Sequence, residues 1–389
     1  MMFFISTLFS VTDCYSQWIK SSNGLSFGYV NSFAASGNNL YAGISSSGVI
    51  VTSDNGVTWT GLPGPGANVL MTNGNYIFAG TRFNVYKSTD LGTSWVGTGI
   101  PNAQPYILSL GSNGNTIFAG AQVGGIFLSS DNGGSWNHLP LNNAPVASML
   151  VNGSQVLFGT WYHGIISSTN NGLNWGQTSM DTQSVYALAA NGVCTFAGTS
   201  SGVYKSVNGG ANWIQTPLNN VYVYSLAIYG NTIFAGTYFH GVYVSIDNGL
   251  SWSQRNEGFG NFQVNSLAIL NDYVFAGTFG DSVYKRPLSE LSGINTISEQ
   301  VPAQYSLSQN YPNPFNPSTK IKIEIAKSSY VKLIVTDITG REAAVLIDQQ
   351  LQAGVFEVDW NATSLSSGVY FCKLTAAQFT ETRKMMLVK

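Results

Sequence analysis

Two kinds of side chain between residues 17 and 286 could do chemistry by virtue of their spacing. The first is the carboxylate: apart from a repeated polar motif taken up below, this stretch offers Asp181, Glu257, Asp272 and Asp281. Hydrolysis of a glycosidic bond needs one carboxyl group as acid and a second as base or nucleophile on a common face. Asp181 and Glu257 form the one pair worth testing, because Asp272 falls in a turn on the opposite side. The second is the aromatic ring. Trp161-Tyr162-His163-Gly164 and Tyr238-Phe239-His240-Gly241 are two copies of one loop. Such rings offer flat apolar surface with a polar handle, suited to stacking on sugars or anchoring a protein. The equally simple alternative is that they pack inside the fold. The histidines are hydrogen-bond donors in this reading; no supporting cluster of His, Cys or carboxylates accompanies them, so neither a metal nor a cofactor is expected.

A third set of acids recurs too often to be catalytic. "TSDNGVTW" ends at Trp59, "STDLGTSW" at Trp95, "SSDNGGSW" at Trp136, "STNNGLNW" at Trp175, "SVNGGANW" at Trp213 and "SIDNGLSW" at Trp252. The third position is Asp54, Asp90, Asp131, Asn170, Asn208 and Asp247. An amide can hold a turn but cannot serve as acid, base or nucleophile. A structural role therefore follows, with the side-chain oxygen accepting backbone N–H groups and Gly taking a positive φ. One carboxylate per turn is also a poor site for a hard cation.

The elements that must position these loops follow from the period. Successive tryptophans lie 36, 41, 39, 38 and 39 residues apart, and a second marker of the type "IFAG" precedes each, ending at Gly43, Gly80, Gly120, Gly159, Gly198, Gly236 and Gly277. A unit of about 40 residues with four short β-rich runs is the size of one propeller blade. The expected fold is all-β: a seven-bladed β-propeller over residues 17–286, each blade made of strands A to D from the channel outward, followed by a small Ig-like β-sandwich. The seventh unit reaches Pro287 with no motif and no tryptophan, while Trp18 stands 41 residues before Trp59. The N-terminal strand is thus expected to close the ring, which removes an open sheet edge. In each blade the polar motifs and the A-to-B turns share one face. The aromatic loops are B-to-C loops of the other, and blades four to six are the expected groove.

The repeat resembles the Asp-box, or bacterial neuraminidase repeat, S/T-x-D-x-G-x-x-W. Proteins with such propellers include sialidases, other glycosidases, the sortilin ectodomain and a photosystem II assembly factor, so the fold alone does not choose a function. The sialidase pattern implies an arginine triad, and only Arg82, Arg255 and Arg286 are present, without the expected Arg-Ile-Pro segment. Two readings lead: a binding module for a glycan or an extracellular protein, and a secreted polysaccharide hydrolase. A purely structural assembly factor is the third.

Composition narrows the setting. Charged residues make up 9% of the 389, against roughly a quarter in ordinary domains. The net charge is −2 and the basic residues form no cluster, so neither nucleic acid nor an anionic membrane is an expected partner. "MMFFISTLFSV" has the length of a signal-peptide apolar run, and cleavage before Gln17 fits the small residues ahead of it; residues 1–16 are the expected leader. No later run is long enough for a membrane span, and the propeller is expected to be monomeric. Cys14 falls in the leader, and Cys194 and Cys372 in different domains, which favours free buried thiols over a disulfide framework.

Residues 287–303 have neither alternation nor the repeat and suggest a linker. Alternating strands then fill 304–389, as in a β-sandwich. Here "NYPNPFNPST" (310–319), "DITGRE" (337–342), "AGVFEVDWN" (353–361), "SGVYFCKL" (367–374) and "KMMLVK" (384–389) closely resemble the type A C-terminal sorting domain of the type IX (Por) secretion system of Bacteroidetes and relatives. The resemblance implies passage across the outer membrane, with the type IX machinery as the partner of residues 304–389, and a secreted or cell-surface destination. Within this domain Gly340 suits a hairpin turn, and Trp360 and Tyr370 suit the core.

Overall fold

The computed structural model describes residues 17–23, 28–45, 47–101, 105–139, 144–280, 283–291, 294–298, 301–362 and 365–389. The expected leader and Asp281 lie outside these residues. Among the described residues there is no α-helix, and nine four-stranded antiparallel sheets account for the fold. Seven of the sheets lie between Ile19 and Pro287. They are numbered here by their innermost strands A: Val30–Ser36, Val69–Asn73, Ile107–Asn113, Val146–Asn152, Val185–Ala190, Val223–Tyr229 and Val264–Leu270. Sheet six shows the pattern, with B at Thr232–Thr237, C at Val242–Ser245 and D at Ser253–Gln254.

The two sequence markers prove to be one packing device. The aromatic of each B-strand marker is fully buried in six of the sheets, at Phe78, Phe118, Phe158, Phe196, Phe234 and Phe275, and Tyr41 takes the place in sheet one. At Gly56, Gly133, Gly172 and Gly249 the glycine of the polar motif in the next sheet lies against that ring, whereas Gly92 and Gly210 lie against Leu62 and Leu157. A Cβ on Gly249 would stand 3.1 Å from Phe196 of sheet five, and one on Gly56 would stand 2.7 Å from Phe275 of sheet seven. Both glycines also have φ near +80° or +70°, which L side chains rarely adopt. The motif itself is a hydrogen-bonded hairpin. Ser245 Oγ accepts the Gly249 N–H at 2.8 Å and donates to Asp247 Oδ1 at 2.8 Å, while Asp247 Oδ1 accepts the Ser251 N–H at 2.9 Å. The same three bonds recur around Asp54, Asp90, Asp131, Asn170 and Asn208.

Neighbouring sheets are joined by repeated polar contacts. An A-to-B turn asparagine donates to the motif of the next sheet: Asn73 to Asn132, Asn113 to Asn171, Asn191 to Asn248, and, from sheet seven to sheet one, Asn271 to Asn55. Strand-C lysines do likewise, Lys87 to the carbonyl of Asn132, Lys205 to that of Asn248 and Lys285 to that of Asn55. In sheet seven the outermost place is taken by the N-terminal strand Ile19–Lys20, paired as Ile19 with Lys285 and Lys20 with Tyr284. Trp18 is buried beside it, its backbone N–H on the Glu257 carbonyl and its indole N–H on the Arg255 carbonyl, both at 2.7 Å.

The segment 287–303 departs from its reading as a linker. Leu288–Glu290 forms a 3-10 turn, and Ile294–Ser298 pairs antiparallel with Gly354–Asn361. This strand extends the first sandwich sheet, whose order is 294–298, 354–361, 318–325, 306–307. Hydropathy alternation did not announce it because one sheet edge supplies its hydrogen bonds whatever its pattern. The second sheet runs 342–351, 329–337, 368–376, 379–387. Trp360 and Tyr370 are in the core between the sheets, and Gly340 turns with φ 81°. Where the two regions meet, Asn231, in the A-to-B turn of sheet six, donates to the Val345 carbonyl at 2.9 Å.

Candidate functional site

On the side opposite the polar hairpins, each sheet offers a B-to-C loop and the D-to-A connection from its neighbour. The exposed aromatic rings of residues 17–287 that the structure describes are all on this side. Phe83, Tyr162, Phe239 and Phe279 belong to B-to-C loops, whereas Tyr29, Tyr222 and Phe262 precede A strands. Tyr162 is 74% exposed and Phe239 63%, so these two are not core residues. Trp161 and Tyr238 are half-buried at the roots of the same loops. The indole N–H of Trp161 is buried without a hydrogen-bond partner in the chain.

A β-bulge sets what faces the mouth of each sheet. The A and B strands slip register at the start of A in sheets one, three, four, five, six and seven, leaving Asn31, Leu108, Ala147, Tyr186, Tyr224 and Asn265 unpaired. Bulges re-aim a side chain in this manner. In sheet two Asn68 occupies the equivalent place, just before the strand. The bulged residues, together with Asn68, fall into three groups: amides on sheets seven, one and two, aliphatic groups on three and four, and phenols on five and six.

The phenols are in contact. Tyr186 meets Tyr224 edge-on at 5.0 Å, Tyr224 meets Tyr238 at 5.2 Å, and Tyr238 meets Phe239 at 3.8 Å between ring centres. Burial, and to a smaller degree the neighbouring phenols, raises the pKa of Tyr224; burial does the same for Tyr186. Both hydroxyls therefore stay protonated at neutral pH. The loops carrying the outer rings are held by strand-D glutamines. Gln177 donates to the His163 carbonyl at 3.0 Å, Gln215 to that of Ser201 at 2.8 Å and Gln254 to that of His240 at 2.7 Å. His163 and His240 point their carbonyls inward to these amides while their side chains are exposed.

The carboxylate pair fares differently. Asp181 is exposed in the D-to-A connection before sheet five. Glu257 lies before sheet seven, where the buried Arg286 contacts it at 2.8 Å and Glu290 at 3.2 Å. Burial tends to raise the Glu257 pKa, but its hydrogen bond and charge interaction with Arg286 outweigh that and hold it below the usual range. A general acid needs the opposite shift. Among the described residues no group of three or more His, Cys, Asp or Glu could hold a metal ion.

Tyr186, Tyr222 and Tyr224 and the three glutamines escaped the sequence reading. Their signal was present: Tyr-Ala and Tyr-Ser follow the valine that opens strand A, and Gln stands two places after Trp175, Trp213 and Trp252. Only the bulge tells which neighbour of that valine turns toward the mouth.

This is an all-β protein of propeller-like sheets with a C-terminal secretion domain. Residues 309–389 match the family of secretion system C-terminal sorting domains, and no curated protein sequence matches the chain. Among solved structures, it is similar to PorZ, described as an essential bacterial surface component of the type-IX secretion system of Porphyromonas gingivalis. The TM-score is 0.60 at 16% identity over 94% of this chain and 60% of that one. The extracellular domain of BT4673, a putative hybrid two component system of B. thetaiotaomicron, gives 0.58 at 16% over 80% and 46%. YCF48 bound to a D1 peptide gives 0.57 at 16% over 70% and 96%. The chain thus spans less than two thirds of the length of the first two, and at these identities the likeness is one of fold. No helix of the described residues is long and apolar enough to cross a membrane.

Proposed function

We propose that the seven sheets are the blades of one closed propeller, that the ring is a secreted or surface-attached binding module, and that the sorting domain directs its export by the type IX system. Closure is supported by the pairing of Ile19 with Lys285 and by the contacts of sheet seven with sheet one, which repeat those between other neighbours. The observation that carries the binding role is the gathering of exposed rings on the face opposite the hairpins, with Tyr162 and Phe239 the most exposed of them. Isolated exposed apolar residues are ordinary, but rings collected on one face mark an interaction surface. Hydrolysis is the weaker reading, because Glu257 is engaged by Arg286 in the ionised form. The test is retention of the purified chain on arrays of polysaccharides and of extracellular peptides. Replacing Tyr162 and Phe239 together by alanine should abolish retention and leave the melting temperature close to that of the parent. Unchanged retention would refute the role of this face.

A further inference from the structure

Resting on that reading of the face, we propose that the mouth of sheets five and six, walled by Tyr186, Tyr222, Tyr224 and Tyr238, takes a neutral polysaccharide chain. Three observations converge on this chemistry. The first is the ring wall itself. Tyr186, Tyr224, Tyr238 and Phe239 touch in series, each at an angle to the next, so the wall presents both ring faces and phenol hydroxyls. A sugar ring has the matching pattern, with C–H groups on its faces and hydroxyls around its rim. The second is the rest of the mouth. Asn265 occupies the corresponding position on the adjoining sheet seven, Asn31 and Asn68 those on sheets one and two, and Gln183 accepts from the Ser201 hydroxyl at 2.9 Å. Amides and hydroxyls both donate and accept, as vicinal hydroxyls require. The third is charge. In the described B-to-C and D-to-A connections, the ionic side chains apart from histidine are Arg82, Asp181, Arg255 and Glu257, and Glu257 is engaged by Arg286. A polyanion would find no cluster of cations here, and a charged peptide would find few partners.

The site is also prepared in advance. Gln177, Gln215 and Gln254 hold the three loops of sheets four, five and six from behind, so little ordering is needed on binding.

The experiment is affinity electrophoresis of the full chain through gels containing a neutral β-glucan, a neutral mannan or the anionic alginate, beside a peptide array. We expect retardation in at least one neutral gel and none in alginate. Tyr186→Phe and Tyr224→Phe keep the rings and remove the hydroxyls; each should weaken that retardation by roughly tenfold or less, the worth of one or two hydrogen bonds. Tyr224→Ala should abolish it. Should Tyr224→Ala lower the melting temperature, the phenylalanine variants still decide the matter, since they preserve packing. Retention by alginate or by peptides alone overturns the polysaccharide class while leaving the face a binding surface. Retention by none of the probes overturns the inference. Neutral-gel retardation that ignores Tyr162→Ala with Phe239→Ala as well as both phenylalanine variants would place the ligand elsewhere and overturn both readings.

Discussion

Within the polar hairpin, the residue before tryptophan follows the identity of the acid. Where the third position is aspartate, that residue is Thr58, Ser94, Ser135 or Ser251, whose hydroxyl donates to the outer carboxylate oxygen at 2.6–2.7 Å. Where it is Asn170 or Asn208, the residue is Asn174 or Asn212. A carboxylate has two acceptor oxygens to satisfy, whereas an amide has one acceptor and its own donors, so the hydroxyl is dispensable in the second case. The hydrogen bonds from Thr58 bring Asp54 down to about 2, and those from Ser129 and Ser135 do the same for Asp131. Because both values lie below the unfolded carboxylate near 3.9, their contribution is complete above that pH and is lost as the pH falls through about 2. The melting temperature should accordingly decline on the acid side from about pH 5 downward. Asp131→Asn with Ser135→Asn, a copy of the amide hairpin, should melt near the parent at neutral pH and show a shallower acid decline. An unaltered acid slope in this variant, followed by calorimetry, would count against the assignment. This rule was open to reading in the sequence, since both positions are visible there. The direction of the bulged tyrosines was not, since it depends on a register slip that no residue type announces.

Among elements, the short strand Ile19–Lys20 has the largest consequence for its size. It makes two residue pairs, yet it brings the buried Trp18 against Phe259 at 4.6 Å and places the Ser21 hydroxyl where it accepts the Trp59 indole N–H at 3.0 Å. Trp18→Ala should therefore cost about 3–5 kcal/mol, as other buried tryptophan truncations do. Deleting 17–23 should lower the melting temperature by at least as much. A truncated chain that melts with the parent would show that sheet seven tolerates an open edge. The pairing was legible from the orphan tryptophan and the missing seventh motif, because a fixed period makes a gap as informative as a copy. The strand Ile294–Ser298 was not legible. It belongs to no repeat, and its partner Gly354–Asn361 is distant in sequence.

For the whole molecule, that same strand sets where the two parts can be divided. A cut at 304 leaves 294–298 without the sheet it extends, so removal of residues 292–389 is the cleaner experiment. In a host with the type IX pathway, the shortened chain should accumulate in the periplasm, and fractionation followed by immunodetection will show it. Its normal appearance in the medium would remove the sorting domain from the route. The affinity of the shortened chain for whichever gel retards the parent should match the parent within experimental scatter, because the tail adds nothing to the mouth.

The contact of Asn231 with the Val345 carbonyl carries this further. It attaches the sorting domain to the hairpin side of sheet six, behind the face that bears the rings. The molecule is thus two-ended, like a lamp on its bracket: one end is a mounting, the other looks away from whatever it is mounted on. On the proposed reading, an anchor that held the tail would leave the mouth open to the surroundings, so tethering and capture would proceed at once and neither would wait for the other.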